Sequence, residues 1–266
     1  MIQLTLYKRE MKNSIKILCL FAAVLSLYVT MIIRMYDPKM MASLDQFYEA
    51  MPELMSAVGM EAGATSLIGF MISYLYGFIF LVFPMIFCIV RGNGLLAKYM
   101  DKGSMVTLLA APVKRSTVAV TQMSVLISGI VLLLLYSTGL ELVVASTSYP
   151  GELAVSDLLK VNAALLCLQL FIGGICYLAS CLFSETRYSI ACGAGIPALM
   201  YVLQMLANAG EKTEAVKYAT FFTLFDANGV LAGDRTAVTG AVILGIGAVA
   251  FYWAGAMVFC KKDLHI

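Results

Sequence analysis

The chain has 266 residues, of which 61% are hydrophobic and only 13% are charged, and its formal net charge is +2. Soluble domains carry about 25% charged residues, so this composition excludes a water-soluble globular protein. It predicts an integral membrane protein, because apolar runs of about 20 residues suit helices that cross a hydrocarbon core of about 30 Å. The runs are continuous rather than alternating, which favours helices over a barrel of strands.

The predicted fold is all-α, with one transmembrane domain over residues 1–266. The first twelve residues mix apolar and basic side chains, which predicts an amphipathic helix lying along the inner membrane surface. A cleaved signal peptide is the competing interpretation, but the apolar run that follows is too long and lacks a small-residue cleavage site. Six transmembrane helices are predicted at residues 14–33, 66–90, 116–144, 158–183, 188–208 and 237–259.

Charge asymmetry predicts that both termini are cytoplasmic. With the N-terminus inside, the inner segments hold twelve of the eighteen Lys and Arg residues but only four of the sixteen Asp and Glu residues. An excess of Lys and Arg in the short cytoplasmic loops is what sets the orientation of a membrane protein.

Residue patterns of catalytic and metal sites are missing from the sequence. The seven cysteines show no metal-ligand spacing, and the single histidine, His265, is at the C-terminal tip. There is no phosphate-binding loop, no His-Glu-x-x-His and no Gly-x-Ser-x-Gly. We therefore expect no enzyme activity, no cofactor or metal in this chain and no nucleic-acid partner. The scarcity of ionisable residues in the spans also argues against a secondary carrier.

The insert at residues 91–115 is the only long basic segment between two spans, with five Lys or Arg residues against Asp101. Taken alone, it fits a basic loop that follows the positive-inside rule. Its sequence also predicts a short cytoplasmic helix from about Ser104 to Ala110, with an N-cap, one apolar face and a proline-induced end. The residues that carry this pattern are Asp101, Gly103, Ser104, Met105, Leu108, Leu109, Pro112 and Arg115.

This pattern resembles the permease subunits of type-2 ABC transporters, the bacterial exporter class. The resemblance covers essentially the whole chain, although Asp101 stands where glutamate is more typical and Lys114 where a small residue is common. The matching motifs are Asp101-Lys102-Gly103-Ser104, Leu108-Leu109, Pro112-Val113-Lys114-Arg115 and the closing Lys261-Lys262-Asp263-Leu264.

The resemblance implies a mechanism and a set of partners. Two permease subunits would pair, as a homodimer or a heterodimer, in the bacterial plasma membrane. Two separate P-loop ATPase subunits would bind ATP and Mg²⁺ in the cytoplasm and act on the spans through a coupling helix in the basic insert. The expected function is export of a drug, a peptide or another amphipathic substrate. The alternative is a non-transporting immunity or sensory subunit that binds a peptide through its outer loops.

Two features of the spans are candidates for further roles. Ala191 and Gly195 form a small-residue pair in the fifth span, which predicts a close helix contact within the subunit or across a dimer. Pro197 predicts a kink in the same span. Glu141 falls near the outer end of the third span, where a position at headgroup depth is expected.

Overall fold

The computed structural model describes residues 2–37, 51, 66–105, 113–209 and 216–262, and within these ranges the chain is helical with no strand. Six helical segments are long and apolar enough to cross a membrane, which confirms the predicted all-α, six-helix architecture. The helices are α1 (Leu4–Met35), α2 (Leu67–Met71), α3 (Phe80–Gly92), α4 (Ala97–Asp101), α5 (Arg115–Ser148), α6 (Val155–Leu182), α7 (Thr186–Asn208), α8 (Ala227–Ala232) and α9 (Arg235–Lys261).

The second span is a composite segment, Leu67–Asp101, rather than one regular helix. Ser66 caps α2 by accepting a hydrogen bond from the Gly69 amide at 3.2 Å. A π-helix, Ile72–Ile79, joins α2 to α3. Wide turns of this kind are uncommon and are frequent at functional sites. Here the π-helix carries Tyr76, which is buried against the third span.

Helix α6 is the centre of the bundle. It packs against α3, α5, α7 and α9, and 67% of its most apolar 18-residue stretch is buried. Helix α1, in contrast, packs mainly on α5 and has only 11% of the corresponding stretch buried. The core therefore lies around α6, while α1, α7 and α9 present broad apolar faces outward, as expected for helices that contact lipid or another subunit.

The ends of the spans differ from the sequence-based picture in one respect. Helix α1 runs without a break from Leu4 to Met35, so the expected surface helix and the first span form one element. Of the loop that follows α1, residues 38–50 and 52–65 lie outside the described residues. The segment between α7 and α9 contains a 3₁₀ helix, Phe221–Leu224, that packs on both of these helices.

Candidate functional site

The basic insert begins with a tight turn that links α3 to α4. Helix α3 ends at Gly92, and a Cβ atom there would lie 2.5 Å from the Cys176 Cβ on α6. Only glycine permits this close approach, because any larger residue would push the turn away from α6. Gly92 therefore fixes where the insert leaves the bundle, whereas Gly94 is less crowded, with its nearest neighbours 3.4 Å or more away.

Side chains from two neighbouring helices hold this turn. The Ser180 hydroxyl on α6 accepts hydrogen bonds from the amides of Leu96 and Ala97 at 3.1 and 3.0 Å. Asn93 donates to the Ile89 carbonyl at 2.9 Å and accepts from the Ser189 hydroxyl on α7, also at 2.9 Å. The Ser180 contacts satisfy two buried amides at the start of α4, and the Asn93 side chain adds a donor to a carbonyl near the end of α3. The insert is thus fastened to α6 and α7.

Ser180→Ala is expected to loosen this turn, because two buried amides would lose their acceptor at a cost of about 1–3 kcal/mol each. Hydrogen exchange should become faster at the amides of Leu96 and Ala97. Ser124→Ala is the matched control, since within the described ranges the Ser124 hydroxyl bonds only a carbonyl of its own helix, that of Val120, at 2.8 Å. Unchanged exchange at Leu96 and Ala97 in Ser180→Ala would contradict this role.

A second contact fastens α4 to the first turns of α1. The Tyr99 hydroxyl donates a hydrogen bond to the Glu10 carboxylate, and Glu10 is only 4% exposed. The Arg91 guanidinium lies near the same carboxylate, with 3.9 Å between Nη2 and Oε2. Glu10, Tyr99 and Arg91 come from two spans that are distant in sequence. They connect the N-terminal helix to the basic insert.

A cavity of about 300 Å³ lies beside this contact, between α1 and the insert. Three of its lining side chains are cationic and one is a carboxylate, so its local charge is positive. The charged and polar residues that line it include Glu10, Arg91, Lys98, Tyr99, Lys102 and Ser104.

The structure describes only part of the predicted coupling segment. Asp101 is the exposed last residue of α4, and Gly103 is exposed with φ of +67°, a left-handed conformation that favours glycine. Ser104 donates to the Tyr99 carbonyl at 3.3 Å, and Met105 is 2% exposed. Residues 106–112 lie outside the described residues. They include Leu108 and Leu109 of the helix predicted from Ser104 to Ala110, and Pro112, which is predicted to end it.

The far end of the insert contacts the C-terminal end of α9. Arg115, the first residue of α5, donates from Nη1 to the Lys262 carbonyl at 3.0 Å. Lys262 in turn donates from Nζ to the Leu182 carbonyl at the end of α6, at 2.8 Å. Partial burial lowers the pKa of Lys262. Cations at carbonyl ends of helices are favourably placed, so this chain of contacts ties three helix ends together.

The small residues of α7 divide between two faces. Gly193 is buried, and a Cβ atom there would lie 2.5 Å from Asn93 Oδ1 and 3.2 Å from the Ala179 Cβ. The predicted pair, Ala191 and Gly195, is exposed on the outside of the subunit. Within the subunit, the close helix contact is therefore made by Gly193. Pro197 is buried inside α7, and the kink expected there stays a prediction.

Glu141 on α5 is enclosed by protein rather than facing outward, because its side chain is 0% exposed. Its carboxylate accepts hydrogen bonds from the Tyr76 hydroxyl, at 3.0 and 3.2 Å, and from Asn162 Nδ2 on α6, at 2.9 Å. Among the described residues, no Lys or Arg forms an ion pair with it. Three spans thus converge on one buried carboxylate.

Several of these contacts were not predicted from the sequence. Glu10 carried a signal, because it is the only acidic residue before Asp37 in an otherwise basic N-terminal segment. Ser180 and Asn93 could not be singled out from the sequence, because serine and asparagine in apolar spans also form hydrogen bonds to the backbone of their own helix. Gly193 belongs to a run of small residues in which spacing alone does not select the buried face.

Comparison with models of protein families shows which family this chain matches. A family model described as "ABC-2 family transporter protein" matches residues 4–264, nearly the whole chain. No curated protein matches this sequence.

Proposed function

Because this chain belongs to the ABC-2 family of transporter proteins, we propose that it is the permease subunit of an ATP-driven exporter in a bacterial plasma membrane. The family is a membrane component of transport and not a catalytic ATPase. The energy then comes from a P-loop ATPase subunit that binds ATP and Mg²⁺ on the cytoplasmic side. This is the orientation that the excess of inner Lys and Arg predicts.

The fastening of the basic insert to the bundle supports this proposal best. Ser180 and Asn93 hold the turn at residues 93–96, and the contact between Tyr99 and Glu10 joins α4 to α1. A displacement of a segment that is held in this way is transmitted to the helices that it contacts, because the buried contacts have to move together. Force applied by an ATPase near Asp101 to Arg115 would reach α1, α6 and α7.

The exposed face of α7 supports a second permease subunit as the other partner. Ala191 and Gly195 lie on this face beside Ile196 and Leu199, which are 39% and 56% exposed. Small residues flanked by larger apolar ones allow two helices to approach closely inside a membrane. We propose that this face pairs with another copy or with a related subunit. The transported molecule is then a drug, a peptide or another amphipathic compound.

Co-purification with a P-loop ATPase encoded by a neighbouring gene tests the proposal, together with measurements of ATP hydrolysis and substrate efflux. Asp101→Lys reverses the charge at the proposed coupling site. We expect it to lower substrate-stimulated hydrolysis and efflux about tenfold, within the usual range of coupling between distant sites. Asp157→Lys is the matched control at the predicted outer surface and should change both rates less than about twofold.

Two results would count against the proposal. If Asp101→Lys and Leu108→Arg leave complex assembly, hydrolysis and efflux at wild-type levels, the insert does not couple the ATPase to the spans. If no ATPase co-purifies while the isolated chain binds a peptide, the chain is instead a non-transporting immunity or sensory subunit.

A further inference from the structure

We propose that the cavity between α1 and the basic insert binds a phosphate group, supplied by the headgroup of an anionic phospholipid or by a free phosphate ion. The site itself does not depend on the proposed ATPase coupling. Only its consequence for coupling rests on the proposed function.

The charges around the cavity favour an anion. Arg91, Lys98 and Lys102 line it, and among the residues that the structure describes Glu10 is the only acid in the lining. The Glu10 carboxylate already accepts the Tyr99 hydroxyl, and at 3.9 Å it lies beyond hydrogen-bond distance of Arg91 Nη2. The lining side chains therefore carry an excess of two positive charges that the cavity wall does not neutralise.

Arg91 supplies the strongest argument for a bound anion. Its side chain is only 12% exposed, and within the described part of the chain Nη2 has no hydrogen-bond acceptor. Burying a guanidinium nitrogen without an acceptor is unfavourable, and a guanidinium is always charged. A phosphate group has several strong acceptor oxygens and matches the planar fork of arginine.

The size and surroundings of the cavity suit one phosphate group with its attached atoms. Its volume of about 300 Å³ is at the lower end of the range for small-molecule sites. Lys98 and Lys102 are exposed at its mouth and would meet the anion as point charges. Asn13 on α1 is also part of the lining and offers a neutral donor.

The position of the cavity at the end of the spans makes a headgroup accessible. Basic pockets between membrane helices on the cytoplasmic side are typical sites for lipid phosphates. A phosphate held by Arg91 and Lys98 on the insert and by Asn13 on α1 would bridge the two elements. It would thereby strengthen the link that Tyr99 and Glu10 already make.

Thermal unfolding of the purified chain tests the site and separates the two sources. One arm adds inorganic phosphate in neutral detergent, with chloride at equal ionic strength as the reference. The other arm compares nanodiscs of phosphatidylglycerol with nanodiscs of phosphatidylcholine. We expect a rise in Tm of about 5 °C at about one hundred times Kd in at least one arm. A rise only in phosphatidylglycerol assigns the headgroup, and a rise with inorganic phosphate assigns the free ion.

Two sets of variants make the result specific. The double variant Lys98→Gln/Lys102→Gln changes only exposed side chains, and it should raise the apparent Kd about tenfold or more. Arg187→Gln removes one positive charge, as Arg91→Gln does, but from an exposed position outside the cavity, and it should leave Kd unchanged. Arg91→Gln should abolish the rise in Tm, and if that variant does not fold, the double variant decides. No rise in either arm, or a wild-type Kd in the double variant, would overturn the proposal.

Discussion

Gly193→Ala is expected to destabilise the protein, whereas Gly195→Ala, two residues further along α7, is expected to leave it as stable or slightly more stable. Both changes give α7 the same gain in helix propensity, about 1 kcal/mol relative to glycine. Any difference in stability between the two variants is therefore caused by the packing around each position and not by helix propensity.

The two positions differ in the space that is available for a Cβ atom. A Cβ atom at Gly193 would lie 2.5 Å from Asn93 Oδ1, and among the described residues nothing lies within 4 Å of one at Gly195. Asn93 has little freedom to move away, because it is 2% exposed and bonded to both Ile89 and Ser189. Overpacking of this kind costs about 1–3 kcal/mol, and the lost hydrogen bonds add to that cost.

The measurement is Tm and the yield of monodisperse protein in detergent for both variants beside the wild type. We expect a lower Tm and a lower yield for Gly193→Ala alone. Ser189→Ala combined with Gly193→Ala should cost less than the sum of the two single changes, because both act on Asn93. Equal Tm values for Gly193→Ala and Gly195→Ala would show that α7 does not pack on the insert through Gly193.

Glu141→Ala is the second change for which we expect a large effect. It leaves the Tyr76 hydroxyl and Asn162 Nδ2 without the carboxylate that accepts from both. A buried donor that loses its acceptor costs about 1–3 kcal/mol. Among the described residues the Tyr76 hydroxyl then has no acceptor, whereas Asn162 Nδ2 keeps the Leu158 carbonyl at 3.2 Å. The expected loss is therefore about 1–3 kcal/mol for Tyr76 plus a smaller amount for Asn162, before any relaxation. Glu141→Gln keeps a carbonyl oxygen in place and should therefore cost much less.

Unfolding measurements on the single and double variants separate this hydrogen-bonding role from simple packing. Tyr76→Phe removes one donor and should reduce the additional cost of Glu141→Ala, because fewer groups are then left without a partner. Thr138→Ala on the same helix is a suitable control, since in the described part of the chain the Thr138 hydroxyl bonds only the Leu134 carbonyl, at 2.8 Å. Additive effects of Tyr76→Phe and Glu141→Ala would exclude the proposed coupling between the two residues.

The membrane architecture was predictable because it depends on long runs of one residue class. Continuous apolar stretches of sufficient length leave few alternatives in a bilayer, and the six spans follow from them. The contacts between spans were harder to predict from the sequence. Tyr76 reaches Glu141 from a π-helix, and a π-helix shifts every later side chain relative to a regular helix. Apolar periodicity does not indicate such a shift.

The candidate site was predicted as a region, and its individual residues were partly missed. The basic insert was recognised from its charge and from the motif around Asp101 and Gly103. The residues that fasten it, Glu10, Ser180 and Gly193, come from three other helices. Pairing between distant segments is specified by three-dimensional packing and has no local spacing that one sequence reveals.

The hydrogen-bond partners of Glu141 also bear on how the chain is inserted during synthesis. Tyr76 precedes Glu141, but Asn162 follows it by 21 residues, so the carboxylate lacks one of its two donors when α5 first leaves the ribosome. A carboxylate at the centre of a lone membrane helix costs about 2.5–3.5 kcal/mol on insertion scales, and this is an upper bound for Glu141, which lies nearer the end of α5. The short connection between α5 and α6 brings Asn162 to it soon afterwards. The two helices are therefore best regarded as one unit of biogenesis, delivered to the membrane as a pair.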